Sequence, residues 1–111
     1  MKTLTAVTVT ALFLIGTSAR AATAQENWTH HCASCHGEDG VGKTKMGKKS
    51  GAKDLTSAEY QKSFTDAQLL DHLKNGEKDA DGKVKMKAYS ESMTPDELGA
   101  LVTFVRAFEK K

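Results

Sequence analysis

The sequence predicts an all-α domain with two long loops, on three observations. Threonine precedes Glu or Gln by three residues at three places, the pattern in which side chain and backbone satisfy each other's open groups at a helix start. Apolar residues recur at helical spacing after two of those threonines. No stretch alternates apolar and polar residues for long enough to read as a strand.

The elements follow in chain order. Met1-Lys2, an apolar run from Leu4 to Ile15 and the small residues Ala19-Arg20-Ala21 or Ala22-Thr23-Ala24 make up a secretory signal peptide. The run is shorter than the ~20 residues that span a bilayer, so export with cleavage is expected rather than a retained anchor. The expected division is a signal peptide over 1–21, with an alternative cut after 24, and one domain over 22–111. A first helix runs from about Gln25 to Ala33, carries Trp28 and leads into the cysteines. Residues 37–53 and 75–88, rich in Gly, Lys and Asp, read as the two loops. Between them Thr56 with Glu59 and Thr65 with Gln68 open two helices. The second places Leu69, Leu70 and Leu73 on one side and stops at Asn75-Gly76. The last helix opens at Thr94 with Glu97, has Pro95 at its first position, and carries Leu98, Leu101, Val102, Val105 and Phe108 on one face.

Charge narrows the function classes. The chain has 16 Lys+Arg against 14 Asp+Glu, but Lys2 and Arg20 leave with the signal. What remains is neutral, where a nucleic-acid binder would be expected to be strongly basic, and no stable membrane insertion is expected after cleavage. A domain of 87 to 90 residues with few aromatics has little core of its own, and an apolar group from outside the sequence would help it fold.

Both cysteines of the chain fall in Cys32-Ala33-Ser34-Cys35-His36, a spacing that reads as c-type haem attachment. Two thiols one helical turn apart reach the two vinyl groups of one haem as thioethers, and the adjacent imidazole of His36 reaches the iron. A structural zinc site wants about four ligands; His30, His31 and His72 are the only further histidines, and no second Cys or His pair has the usual spacing. A thioredoxin-like pair would need βαβ surroundings, and a disulfide across so small a loop would stabilise little. The sixth iron ligand is to be chosen among Met46, Met86 and Met93. Met46 is only ten residues from His36, and Met93 stands directly before the cap Thr94, where a hydrophobic staple belongs. Met86 lies in a loop long enough to cross the haem.

With these residues in view, the chain resembles the class I monohaem cytochromes c of small bacterial type, over most of its length after the signal. Trp28, four residues before Cys32, stands where that family often has an aromatic. Gly37-Glu38-Asp39-Gly40-Val41-Gly42-Lys43 resembles the glycine-rich run after the haem motif. Met86-Lys87-Ala88-Tyr89 resembles the Met-Pro-x-aromatic loop of the sixth ligand, with Lys87 in place of the usual proline. The resemblance implies a small cytochrome c fold: about four short helices and long loops around one haem c, with N- and C-terminal helices crossing. It implies Cys32 and Cys35 as covalent attachment points, His36 as proximal and Met86 as distal iron ligand. It implies Ala24 as the small residue at the helix crossing, for which Gly99 offers a small surface on the other helix.

Axial ligation by His and Met raises the reduction potential and leaves no vacant iron position. The function expected is that of a one-electron carrier between exported, periplasmic or membrane-bound redox partners, not an enzyme. The alternative is a haem-based ligand binder or peroxidase-like enzyme with a displaceable sixth ligand. Lys83, Lys85 and Lys87 flank Met86 and would rim the haem edge where partners dock; Lys43, Lys45, Lys48, Lys49 and Lys53 are either part of that rim or a solvated loop. Glu77, Asp79, Asp81 and Gly82 mimic the start of a calcium loop, but its twelfth position is Ala88, so a turn is expected.

Overall fold

The computed structural model describes residues 22–110 and, before them, residues 3, 8, 10 and 11; the expected signal peptide falls almost wholly outside the described residues. The first helical run comprises α1 (Ala24–Asn27), a π-helical turn (Trp28–Cys32) and α2 (Ala33–His36). Thr23 caps α1 by accepting from the Glu26 N–H. Within the π turn the Ala33 N–H reaches back to the Trp28 carbonyl. The wider turn shifts the facing of everything after it, so Trp28 stays in the core while the cysteines meet the cavity described below.

Residues 37–53, read as a loop, contain a further helix, α3 (Lys45–Ser50). Thr44 makes it. Its hydroxyl accepts from the Gly47 N–H and donates toward the Ser34 and Cys35 carbonyls at 2.8 Å each, so one side chain closes the end of α2 and opens α3. The capping box expected at Thr56 and Glu59 does not form. Asp54 Oδ1 accepts from both the N–H and the hydroxyl of Thr56, and the cap passes to Ser57, which starts α4 (Ala58–Lys62).

The other two boxes are present as expected, at Thr65 with Gln68 for α5 (Asp66–Asn75) and at Thr94 with Glu97 for α6 (Pro95–Arg106), with Pro95 in its first turn. Counting the first run as one body, the described residues hold five helical bodies, in keeping with the about four short helices expected. Residues 75–88 are not simply a loop either. They hold a short antiparallel hairpin, β1 (Glu77–Lys78) and β2 (Val84–Met86), with Glu77 opposite Met86. Asp79 closes its turn, accepting from the N–H groups of Asp81 and Lys83, so the calcium-loop mimic is a turn.

The core gathers Trp28, Leu55, Leu69, Leu73, Tyr89, Met93, Leu98, Leu101 and Val105. Trp28 stacks against Phe104 and Phe108 at centroid distances of 5.5 and 4.8 Å, joining the first and last helices. The Asn27 amide donates to Glu97 Oε2 at 2.8 Å across the same junction and holds the Glu97 carboxyl below its ordinary pKa. Ala24 packs on the core as expected. Gly99 does not face it: Gly99 is exposed, and a Cβ there would meet nothing within 4 Å. The crossing is sealed by Trp28 and the Asn27–Glu97 bond instead.

Buried Gln61 ties α4 to its surroundings, donating to the Leu55 and Val105 carbonyls at 2.8 and 2.9 Å. Arg106 at the end of α6 donates to Gln61, to the Phe64 carbonyl and to Asp66 Oδ1, clamping α4 and the start of α5.

Candidate cofactor site

One cavity of about 670 Å³ opens between the first helical run and the α5–hairpin segment. Its size falls in the range of ~300–1,000 Å³ that cofactor-sized ligands occupy. Cys32, Cys35 and His36 line it from one element, reinforced by Leu55 and Lys53. Leu69, His72, Glu77, Met86 and Tyr89 line it from α5 and the hairpin segment. The cavity thus brings together all four residues expected to hold a haem.

The donor set has the chemistry for that group. Both cysteines are free thiols, and burial together with the neighbouring Cys35 pushes the Cys32 thiol up to about 11, so it stays protonated. Burial also lowers the pKa of His36, favouring the neutral imidazole that ligates metals. The Lys53 carbonyl opposes part of that shift. His36 Nδ1 is buried and has no partner in full hydrogen-bond geometry, which makes it the orphaned polar atom of this wall. A haem fits these residues: thiols and imidazole on one side, a thioether on the segment across, and an apolar lining between.

Two glycines that set the site carry no sequence signal for that role. Gly47 is buried because α3 lies directly on the Cys35 carbonyl; a Cβ at Gly47 would overlap that oxygen. Gly76, read as a helix stop, is also the point where the chain touches the methionine segment: a Cβ there would overlap the Met86 carbonyl oxygen and lie 2.8 Å from the Ala88 nitrogen. His72 is three residues after Leu69 on the cavity face of α5, and that spacing is the signal that would have found it.

The methionine segment is held from several directions despite Lys87 in place of proline. The Tyr89 N–H donates to the Leu73 carbonyl at 3.0 Å and the Ser90 N–H to the Lys74 carbonyl at 3.3 Å, using the open carbonyls at the end of α5. The hairpin ladder fixes Met86 opposite Glu77, and the Tyr89 hydroxyl donates to the His31 carbonyl at 3.0 Å, joining the segment to the helix of the cysteines. Hydrogen bonds therefore supply the restraint that a proline would have given.

The other two methionines are placed differently. Met93 is 5% exposed in the core, beside Leu98 as a staple residue, and does not line the cavity. Met46 lines the cavity but is 55% exposed. Among the described residues no group of three or more His, Cys, Asp or Glu side chains is arranged to hold a metal ion. Among the described residues no helix is long and apolar enough to cross a membrane.

Comparison with known proteins agrees with this geometry. The sequence model of subunit III of cbb3-type cytochrome c oxidase matches residues 19–105. A solved structure titled KustC0563 c-type cytochrome superposes with a TM-score of 0.69 at 31% identity, covering 80% of this chain and 100% of the other. A tyrosine-to-phenylalanine mutant of Kustc0563 gives a TM-score of 0.66, also at 31% identity, over 79% of this chain and 100% of that one. No curated protein sequence is significantly similar. With the Cys32–His36 motif and Met86 lining one cavity of a helical domain, these matches show that the chain belongs to the cytochrome c family, in the group typified by the subunit III domain of cbb3-type oxidases.

Proposed function

We propose that the protein is a one-electron carrier holding a single haem c, covalently attached at Cys32 and Cys35, with His36 and Met86 as axial ligands. The observation that carries this reading is the convergence of those four side chains on one cavity. The haem, when bound, supplies an iron that cycles between two oxidation states. The chain's own part is to hold that group still and dry. Cys32 and Cys35 would tether it, the neutral His36 imidazole and the Met86 thioether would ligate its iron, and Leu55, Leu69 and Tyr89 would keep water from it. With His36 and Met86 both engaged no position would be left for substrate, which suits outer-sphere electron transfer. Met86→Ala should abolish the weak far-red absorption band of an iron–thioether bond, and Met93→Ala should leave it in place. The opposite pattern would transfer the ligand role to Met93.

Redox partners would dock at the mouth of the cavity. Lys85 and Lys87 line that mouth beside the exposed apolar side chains of Val84 and Met46, and Lys83 is exposed just before them. Positive charge around an apolar contact suits an acidic partner, and such charge acts mainly on association rate. Electron transfer to an acidic partner should therefore slow as salt shortens the screening length toward ~10 Å. Lys→Glu changes at 83, 85 and 87 should slow it further with no change in the visible spectrum. A rate indifferent to both would leave these lysines as a solvated rim.

The working place of the carrier would be outside the cytoplasm, after removal of residues 1–21. Thr23 supports that cut over the alternative after Ala24, because its side chain caps α1 through the Glu26 N–H. Losing an N-cap threonine costs about 0.5–2 kcal/mol. Mass spectrometry of the exported protein should give Ala22 as its first residue; a mass starting at Gln25 would reverse the assignment.

A further inference from the structure

Two side chains able to ligate iron reach the cavity from the segment facing His36, and the function above uses only one of them. His72 lines it from α5 beside Leu69, and Met86 lines it from β2. His36 and His72 line the same cavity, so two imidazoles reach one space from different elements. His72 is not locked in the core. Its side chain is 40% exposed, and its Nε2 lies 3.5 Å from Glu77 Oε2, a contact of the partly exposed kind worth only ~0–1 kcal/mol. Glu77 is in turn the residue opposite Met86 in the hairpin ladder. The contact that occupies His72 therefore sits on the same short strand pair that carries Met86 to the cavity.

The remaining histidines are placed otherwise. His30 and His31 also line the cavity, but from the turn that carries Cys32, in the same helical run as His36, and the His31 ring lies against Tyr89 at 5.4 Å.

We infer that His72 is a reserve distal ligand, which Glu77 engages while Met86 is bound and which takes the iron when Met86 leaves. The inference rests on the assignment of His36 and Met86 as the axial pair. In the exchange the bond to the Met86 sulfur would break and a bond to a His72 ring nitrogen would form; no electron is gained or lost, and a proton shared between His72 and Glu77 in their contact would stay on the Glu77 carboxylate or pass to solvent. Imidazole favours the oxidised iron relative to thioether, since Met ligation is what raises the potential. A carrier with both ligands at hand has a high-potential and a low-potential form.

The test compares the ferric proteins carrying Met86→Ala, Met86→Ala with His72→Phe, and His72→Phe alone, each checked for haem content and helicity. Phe fills the space of the imidazole without a nitrogen. The expected result is loss of the far-red band with a low-spin, bis-imidazole spectrum in Met86→Ala, and a high-spin spectrum in the double variant. The double variant should also bind added azide ~10-fold more tightly or better than Met86→Ala, because a site nine-tenths filled by His72 leaves one-tenth of the molecules competent. Glu77→Gln in the otherwise natural protein should raise the share of the imidazole-ligated form. A high-spin spectrum already in Met86→Ala, or a low-spin one that persists without His72, overturns the inference while the Met86 assignment stands. A far-red band that survives Met86→Ala overturns the axial pair itself and the inference with it.

Discussion

Replacing both Cys32 and Cys35 by alanine should leave, in the absence of added haem, a chain with little helix and ready cleavage by proteases. The reason lies in where the apolar residues point. Leu55, Leu69, Tyr89 and Val105 are core residues that also line the cavity, together with the half-buried Tyr60 and Phe64. Much of the core is thus built to face a group the chain does not itself contain. A dry cavity costs ~24 cal/mol per Å³, so a hole of about 670 Å³ would outweigh the ~5–15 kcal/mol by which whole domains are stable. If water enters instead, those side chains lose their burial at ~25 cal/mol per Å². The polar contacts that remain, Asn27–Glu97, the Arg106 clamp and the buried Gln61 bonds, are few and do not replace that apolar burial. Far-UV circular dichroism and limited proteolysis measure the outcome. A haem-free variant with native helicity and one sharp melting transition would show that the core closes without the cofactor.

How much of this was readable in advance depended on whether a signal was local. The boxes at Thr65–Gln68 and Thr94–Glu97 were readable because both partners lie within one turn and nothing competes for them. Thr56 carried the same pattern, and there the nearby Asp54 carboxylate captured its hydroxyl and N–H, so an equally local rival decided the matter. The Cys32–His36 motif was readable because the chemistry it is expected to serve, two thiols and an imidazole on one group, would fix its spacing. α3 was not: its cap Thr44 is followed three residues on by Gly47, not Glu or Gln, and its lysines and glycine resemble a loop. The hairpin is two and three residues long and mostly exposed, too short for any alternation to register. Glycines were the least legible. Gly99 looked like the close-contact residue and faces solvent, whereas Gly47 and Gly76 are crowded by backbone from segments distant in structure type, if not always in sequence.

Gly76 therefore makes the sharpest test of what places Met86. Its backbone, at φ 70° and ψ −166°, lies in a region that only glycine enters readily, at a cost of about 1–3 kcal/mol for other residues. Gly82, in the hairpin turn at φ 81°, shares the positive φ but has nothing within 4 Å of a Cβ. The two sites separate strain from collision. Gly82→Ala should lower stability modestly and leave the far-red band intact. Gly76→Ala adds a methyl group that overlaps the Met86 carbonyl oxygen and crowds the Lys87–Ala88 peptide, so the hairpin must move off the end of α5. The bonds from Tyr89 to Leu73 and from Ser90 to Lys74 hold the segment in the opposite sense, and strain would collect at Met86 between them. Gly76→Ala should accordingly weaken or abolish the far-red band while helicity and haem content stay near those of the natural protein, and its denaturant midpoint should fall further than that of Gly82→Ala. Equal losses of stability with the band retained in both would mean that the hairpin tolerates displacement and that Met86 is placed by the ladder alone.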